Sequence, residues 1–247
     1  MEEDAAREWK IRLGALPIAF ALALLFHSCS MGHFAQRTAL TMPLHEMGHA
    51  ISAWLSGYAA IPTLWKTLIP ETRGFVIPLL LAGLNGFSVW RGWVTDRMWL
   101  CAIGLGLGVL QFLGTTASPS GAAEVITFSG DAGAMVLGTV LVGLFFVGDE
   151  DSKLRQGGLR YGLLAIGAAA LVDTFAVWWS ARTDPDSIPF GEIEGVGLSD
   201  PSKLDEIHGW TTHEMVSRYV TVGVACLIAC IGVWLWATWR ARSDAGR

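Results

Sequence analysis

The chain has 247 residues, of which 52% are hydrophobic and 16% are charged, and it contains 29 glycines. Soluble domains have about 45–50% apolar residues with glycine included, and about 25% charged residues. The composition therefore argues against an ordinary soluble protein, and against disorder, which requires low hydrophobicity and high charge. The net charge of −5 and the lack of a basic stripe argue against a nucleic-acid partner. We expect an all-α, polytopic transmembrane helix bundle that forms a single integral membrane domain.

Long apolar stretches follow one another along the chain. A membrane-spanning helix needs about 20 mostly apolar residues, and about six to seven stretches meet this condition. Backbone polar groups in lipid must be bonded within their own segment, so we expect each stretch to be helical. The first one is too long for the apolar part of a signal peptide, and we expect it to be retained. The predicted spans cover approximately residues 13–36, 38–57, 74–92, 98–117, 120–148, 160–181 and 216–239.

Charged residues between the spans indicate the orientation of the chain. The segment 182–214 has two basic and eight acidic residues, whereas the segments 149–160 and 240–247 each carry several basic residues. Basic loops remain in the cytoplasm, so we expect an extracytoplasmic acidic loop in a bacterial inner-membrane protein. Basic residues in 7–12 favour a cytoplasmic N-terminus, but seven crossings that end inside would begin outside. The orientation of the N-terminus stays open at this point.

The segment 44–57, LHEMGHAISAWLSG, carries the clearest chemical signal. It contains an H-E-x-x-H motif, in which His45 and His49 lie one helical turn apart and point the same way. Two imidazoles so placed can bind one Zn²⁺, and Glu46 can act as general base on a metal-bound water. Ionisable residues inside a membrane helix are costly and mark functional sites. The motif therefore predicts a zinc site within the membrane domain.

The same stretch resembles the site-2 protease family of intramembrane zinc metallopeptidases. That family shows H-E-x-G-H-A followed by small residues and a glycine that ends the helix, and Gly48, Ala50, Ala53 and Gly57 fit this pattern. The resemblance implies a zinc peptidase that cleaves membrane-embedded or membrane-proximal proteins or peptides. By position it implies two histidine ligands and a glutamate base, in agreement with the motif itself.

A catalytic zinc uses three protein ligands and a water, so a third ligand is required. The family takes it from an Asp in an N-P-x-P…L-D-G pattern on a later span, and that pattern is absent here. The candidates on the later spans are Glu124, Asp131 and Asp173. A helix over 120–148 would place Asp131 near mid-depth, and Gly130 and Gly133 would let another helix approach closely. We therefore predict Asp131 as the third ligand, with the other two as alternatives.

Other polar residues within the spans have several interpretations. Asn85 is predicted to bind substrate, since the family pairs its substrates as extended strands, or else to bond two helices. Asp173 is predicted to be a structural carboxylate, a relay residue or a metal ligand. His27 and His33, six residues apart, are expected to face different sides of a helix and to have packing or interfacial roles.

Three functions are compatible with these sequence features. The first is an intramembrane zinc metalloprotease that hydrolyses peptide bonds with a zinc-activated water. The second is a catalytically inactive membrane scaffold or assembly protein that keeps the fold and the metal. The third is a transporter, which Asp173 and the acidic loop would suit, although a detectable repeat is absent. Retention of Glu46 favours the protease, because a purely structural zinc site needs no general base.

Overall fold

The structure is a computed structural model that describes residues 2–147, 158–193 and 197–245. The described chain is predominantly helical, which confirms the predicted all-α class. The α-helices are α1 (Glu2–His27), α2 (Ser30–Gln36), α3 (Met42–Leu55), α4 (Val76–Val94), α5 (Met98–Thr116), α6 (Pro119–Phe146), α7 (Leu159–Ser180), α8 (Asp200–Glu206) and α9 (Thr212–Ala245). A π-helical turn (Arg37–Thr41) joins α2 to α3.

Within the described residues, five helices are long and apolar enough to cross a membrane, namely α1, α5, α6, α7 and α9. The protein is therefore a membrane protein, as predicted. Four of these helices correspond to the predicted spans at 98–117, 120–148, 160–181 and 216–239. The predicted spans at 38–57 and 74–92 are not among the five: α3 has only 14 residues, and α4, with 19 residues, does not meet the same condition of length and apolar character.

The first predicted span is wrong in its second half, because the helix breaks at residues 28 and 29. Cys29 has an extended backbone (φ −119°, ψ 140°), and α2 begins at the next residue. A Cβ at Gly32 would collide with the carbonyl oxygen of Phe26, so only glycine permits this tight reversal. The chain then runs through the π-helical turn into α3. Short π-helical segments inside helices are frequent at functional sites.

Helices α1 and α7 run in the same direction. Arg160, near the start of α7, makes bonds of 2.9–3.1 Å to the carboxylate of Glu8, near the start of α1. At the other end, His27 lies 3.1 Å from Asp173. The earlier residue of α1 contacts the earlier residue of α7, and the later residue contacts the later one, so the two helices are parallel.

Helix α9 runs in the opposite direction to α1 and α7. Tyr219, near its start, stacks on Trp178 in the last turn of α7, with ring centroids 4.0 Å apart. Trp234, near its end, donates a 3.1 Å hydrogen bond to the carbonyl oxygen of Arg12 in α1. The first turns of α1 and the last turns of α9 therefore lie on the same side of the bundle. The basic residues near the two ends of the chain therefore lie on the same side of the bundle.

Helix α6 forms the centre of the bundle and packs against α3, α7 and α9. Its Met135 is fully buried among Leu171 and Tyr219, which belong to the main apolar core. Helices α4 and α5 pack mainly on each other, and most of their large apolar side chains are exposed. In a membrane protein such faces contact lipid.

Two short hairpins lie beside the bundle. Strand β1 (Ile61–Pro62) pairs antiparallel with β2 (Thr67–Leu68), between α3 and α4. Strand β3 (Glu192–Ile193) pairs antiparallel with β4 (Gly197–Leu198), within the acidic loop. That loop also contains a 3₁₀ turn (Pro185–Ser187) and α8, so it is a folded element of the protein.

Candidate metal centre

Glycines bring α3 and α6 into close contact at the H-E-x-x-H motif. A Cβ at Gly133 would lie 2.5 Å from the Cα of Gly48, which no real Cβ tolerates. A Cβ at Gly130 would lie 2.5 Å from Cε1 of His45. The close approach expected from the small residues at 130 and 133 is therefore present, and it puts the histidines of α3 directly on α6.

Both motif histidines are buried and face one another. His45 and His49 have their Nε2 atoms 3.1 Å apart, with ring centroids separated by 4.7 Å. Their one-turn spacing places both rings on the same face of α3. The helix ends soon after the motif, where Gly57 has φ +92° and its N–H bonds to the carbonyl oxygen of Trp54. Glycine is the usual residue in such a left-handed cap.

A carboxylate from the acidic loop meets the two histidines. Oδ2 of Asp200 lies 3.1 Å from Nε2 of His45 and 2.9 Å from Nε2 of His49. Asp200 is the first residue of α8, where Ser199 caps the helix by accepting a bond from the backbone N–H of Ser202. Its other oxygen, Oδ1, lies 3.1 Å from Nζ of Lys203. The local fold of α8 therefore holds the carboxylate in place.

The remaining ring nitrogens are bound to acceptors. Nδ1 of His49 donates a 2.7 Å hydrogen bond to the carbonyl oxygen of Ile126. Nδ1 of His45 lies 2.9 Å from Oδ1 of Asp131, whose Oδ2 accepts a 2.8 Å bond from Nε1 of Trp178. These contacts place the ring protons on Nδ1 in the neutral histidines. Each Nε2 then presents a lone pair.

The three convergent atoms fit a metal ion. Two imidazole nitrogens and one carboxylate oxygen lie within 2.9–3.1 Å of each other, and atoms so close need a proton or a metal ion between them. Bonds of about 2.0–2.1 Å in a tetrahedral zinc site put ligand atoms roughly 3.3 Å apart, close to the observed separations. In metal-bound histidines, the ring nitrogen that does not bind the metal usually donates a hydrogen bond to a carboxylate or a backbone carbonyl, as both Nδ1 atoms can here.

Glu46 lies next to these groups and is itself buried. Its Oε2 accepts a 2.8 Å hydrogen bond from Oγ1 of Thr67 in β2, and the same hydroxyl lies 2.8 Å from the backbone oxygen of Glu46. The β1–β2 hairpin therefore orients the glutamate. A buried carboxylate that is held in one position and lines the same cleft as the histidines is a candidate general base.

A cleft of about 620 Å³ opens onto the site. The motif residues His45, Glu46 and His49 line it together with Asp200. Both hairpins contribute to its walls, which also include the side chains of Trp65, Lys66, Ile69, Phe190 and Lys203. The cleft thus combines apolar side chains with polar and charged groups that converge at the histidines, as in a ligand or substrate site.

The ionisation of Asp200 reflects this environment. Burial disfavours its charged form, but hydrogen bonds and charges from His45 and His49, when these are protonated, outweigh burial and hold the pKa of this carboxyl well below its usual range. A metal ion would supply the same positive charge in place of the Nε2 protons. The carboxylate is therefore anionic at neutral pH, which is the state in which it can bind a cation.

The structure brings Asp200, and not the predicted Asp131, to the Nε2 atoms of the two histidines. Asp131 lies at the outer nitrogen of His45, and Asp200 takes the position that sequence analysis gave to Asp131. Of the alternatives, Glu124 accepts a 2.6 Å bond from Nε1 of Trp210, and Asp173 belongs to a second cluster. The prediction assumed that the ligand must come from a span at the same depth. The acidic loop folds into the bundle instead.

Asn85 is buried between α4 and α5. Its Nδ2 donates a 3.0 Å hydrogen bond to Oε1 of Gln111, whose own amide donates to the carbonyl oxygen of Pro78. Asn85 does not line the cleft at the histidines. Its position corresponds to the helix–helix bond that was the alternative interpretation, and not to the predicted substrate contact.

A second cluster contains His27, His33 and Asp173. The two rings are 4.5 Å apart, so the expectation that they face different sides of a helix is wrong. The chain reverses between them at residues 28 and 29, and no single helix contains both. Arg37 lies between the clusters, 3.5 Å from Asp173 and 3.3 Å from Asp131.

Comparison of the chain with known protein families, with curated proteins and with solved structures gave no match.

Proposed function

We propose that this protein is an intramembrane zinc metalloprotease. The proposed ligands are His45, His49 and Asp200, and the proposed general base is Glu46. The observation that carries the proposal is the convergence of two Nε2 lone pairs and a carboxylate oxygen beside a buried glutamate. The resemblance of the H-E-x-x-H segment to the site-2 protease family supports the same reaction class.

The donor set favours zinc among the common metals. Two imidazole nitrogens and one carboxylate oxygen are ligands of catalytic zinc sites, in which a fourth position stays open for water or substrate. Calcium and magnesium prefer six or more oxygen ligands or near-octahedral geometry, which two histidines cannot supply. The cleft at this point leaves space for a fourth ligand.

The residues of the chain then have distinct roles in hydrolysis. When bound, zinc supplies Lewis acidity toward water and toward a carbonyl oxygen. Glu46 accepts the proton of a water that attacks the peptide carbonyl carbon, and it passes that proton to the departing amine nitrogen. Thr67 holds Glu46 in position for both transfers. Asp131 and the carbonyl of Ile126 keep the two imidazoles in the tautomer that leaves Nε2 free.

The proposed substrates are membrane proteins or peptides whose cleaved segment can enter the cleft. The walls between the two hairpins present apolar side chains such as Trp65, Ile69 and Phe190, which suit a segment leaving the bilayer. The proposed location is a bacterial inner membrane. The acidic loop and the cleft would face outward, because the basic ends of α1 and α9 lie on the opposite side of the bundle.

A substitution of the proposed general base, Glu46, distinguishes a protease from an inactive scaffold. Glu46→Gln keeps the size of the side chain and removes the proton acceptor, so it should retain zinc and lose cleavage. The exposed Glu71→Gln provides a matched control that should behave as wild type. The assay follows cleavage of synthetic single-span peptides by mass spectrometry, with the zinc-loaded protein in detergent. Cleavage by the Glu46→Gln protein, or none by wild type across the peptide set, would contradict the protease and favour the scaffold.

A further inference from the structure

We propose that His27, His33 and Asp173 form a second transition-metal site of the zinc class, separate from the H-E-x-x-H centre. Nδ1 of His27 and Nε2 of His33 each lie 3.1 Å from the same oxygen, Oδ1 of Asp173. The three candidate ligand atoms all lie within 4.8 Å of one another. Tetrahedral zinc with bonds of about 2.0–2.1 Å requires ligand atoms roughly 3.3 Å apart, so small adjustments of the rings suffice.

The two oxygens of the Asp173 carboxylate have different partners, as is common for a metal-binding carboxylate. Oδ1 of Asp173 faces the histidines, and Oδ2 lies 3.5 Å from the guanidinium of Arg37. Asp173 is completely buried within α7. Metal-binding carboxylates commonly have their second oxygen bound by such an outer partner, which orients the ligand.

Charge balance also favours a cation at the histidine pair. Arg37 contacts both Asp131 and Asp173, so one guanidinium faces two buried carboxylates. A buried negative charge without a counter-charge is costly in a bundle that lies in a membrane. A metal ion on His27 and His33 would supply positive charge at Oδ1 of Asp173, the oxygen that faces the histidines and not Arg37.

The elements that carry these residues are held by other contacts. The reversal at residues 28 and 29 brings His33 back onto His27, with ring centroids 4.5 Å apart. In α2, the amide of Gln36 donates a 3.2 Å hydrogen bond to the carbonyl oxygen of Ala169 in α7. The three ligands therefore come from three helices, and a metal would fasten the turn between α1 and α2 to α7.

The second site is more accessible than the first. The side chains of His27 and His33 are 23% and 41% exposed, whereas those of His45 and His49 are 11% and 10% exposed. A metal at the second site would therefore exchange faster with the medium. Its role would be structural, because no residue equivalent to Glu46 lies among its described ligands.

Four of the six histidines of the chain belong to the two clusters, and the other two, His208 and His213, provide a matched control. The full-length protein in detergent is loaded with Zn²⁺, freed of excess metal, and analysed for zinc per chain. Wild type should bind about two equivalents, and His27→Ala/His33→Ala and His45→Ala/His49→Ala should each bind about one. The control His208→Ala/His213→Ala, at two residues outside both clusters, should match wild type. Equal zinc content in wild type and His27→Ala/His33→Ala would overturn the second site.

A titration with Co²⁺ tests the site without relying on the folding of that double variant. Wild type should show about two tight equivalents with the visible absorption of four-coordinate cobalt. A single equivalent in wild type that disappears in His45→Ala/His49→Ala would overturn the second site and leave the proposed protease intact. A single equivalent that persists in His45→Ala/His49→Ala would support the second site and contradict the catalytic one.

Discussion

The carboxylate of Asp131 lies 2.9 Å from Nδ1 of His45, so it fixes the ring without occupying the nitrogen that faces Asp200. In the proposed zinc site Asp131 would therefore orient a histidine ligand without binding the metal itself. The two aspartates are predicted to have different effects when they are changed.

Asp200→Ala should release the zinc held by His45 and His49, because two histidines alone hold a catalytic zinc poorly. Asp131→Asn should retain zinc with an affinity lower by about 10–100-fold, the usual effect of changing an outer partner of a metal-bound histidine. Asp205→Asn, at an exposed residue of α8, is the control. Zinc content after dialysis against graded chelator measures all three. The opposite order of effects would restore Asp131 as the ligand.

Gly130→Ala should disrupt the metal centre without changing any ligand. The new Cβ would lie 2.5 Å from Cε1 of His45 and 2.6 Å from Nε2 of His49, so both rings would have to move. Gly143→Ala in the same helix has open space around it and should leave zinc binding unchanged. Zinc analysis of both variants tests this. Normal zinc content in Gly130→Ala would show that the helices are further apart than described.

Thr67→Val should reduce cleavage while leaving zinc content unchanged. The change removes the hydroxyl that lies 2.8 Å from Oε2 of Glu46 and keeps the size of the side chain. A hydrogen bond to a charged group contributes about 1.5–3 kcal/mol, which corresponds to a loss of about 10-fold or more in kcat/KM. Thr67→Ser should restore most of the rate. If valine and serine gave the same rate, the hairpin would not position the base.

Cysteine labelling in intact cells should show opposite sides for two exposed positions. Thr183 follows the end of α7 near the cleft, and Asp96 lies in the turn between α4 and α5 at the other end of the bundle. With Cys29 replaced by Ser, Thr183→Cys should react with an impermeant reagent and Asp96→Cys only after lysis. Ser202, an obvious choice from sequence, is buried and unsuitable. Reversed labelling would place the acidic loop in the cytoplasm.

Removal of zinc should loosen the acidic loop before it affects the bundle. Asp200 links α8 to the histidines of α3, and without a cation the three acceptors repel each other. We expect a chelator to increase proteolysis and amide exchange in 189–206, with little change in α6. Loading with zinc should reverse the effect. Equal protection of the loop with and without chelator would argue against Asp200 as a ligand.

Much of the architecture follows from local properties of the sequence. Long and mostly apolar runs define α5, α6, α7 and α9, because a helix in lipid must satisfy its own backbone and present apolar side chains along most of its length. The pairing of His45 with His49 follows from the helical repeat alone. The small residues at 130 and 133 likewise predict a close helix contact, since only the local absence of a Cβ is required.

Only the tertiary structure decided which residues complete each cluster. Asp200 reaches the histidines because the acidic loop folds back into the bundle, and the local sequence Ser199-Asp200-Pro201 indicates no more than the start of a short helix. His27 and His33 meet because the chain reverses at Cys29, against the continuous apolar pattern of the first span. Helical periodicity describes the order within one segment. Which segments meet depends on the conformation of the loops and on where helices end. The spacing of residues along the sequence does not determine either.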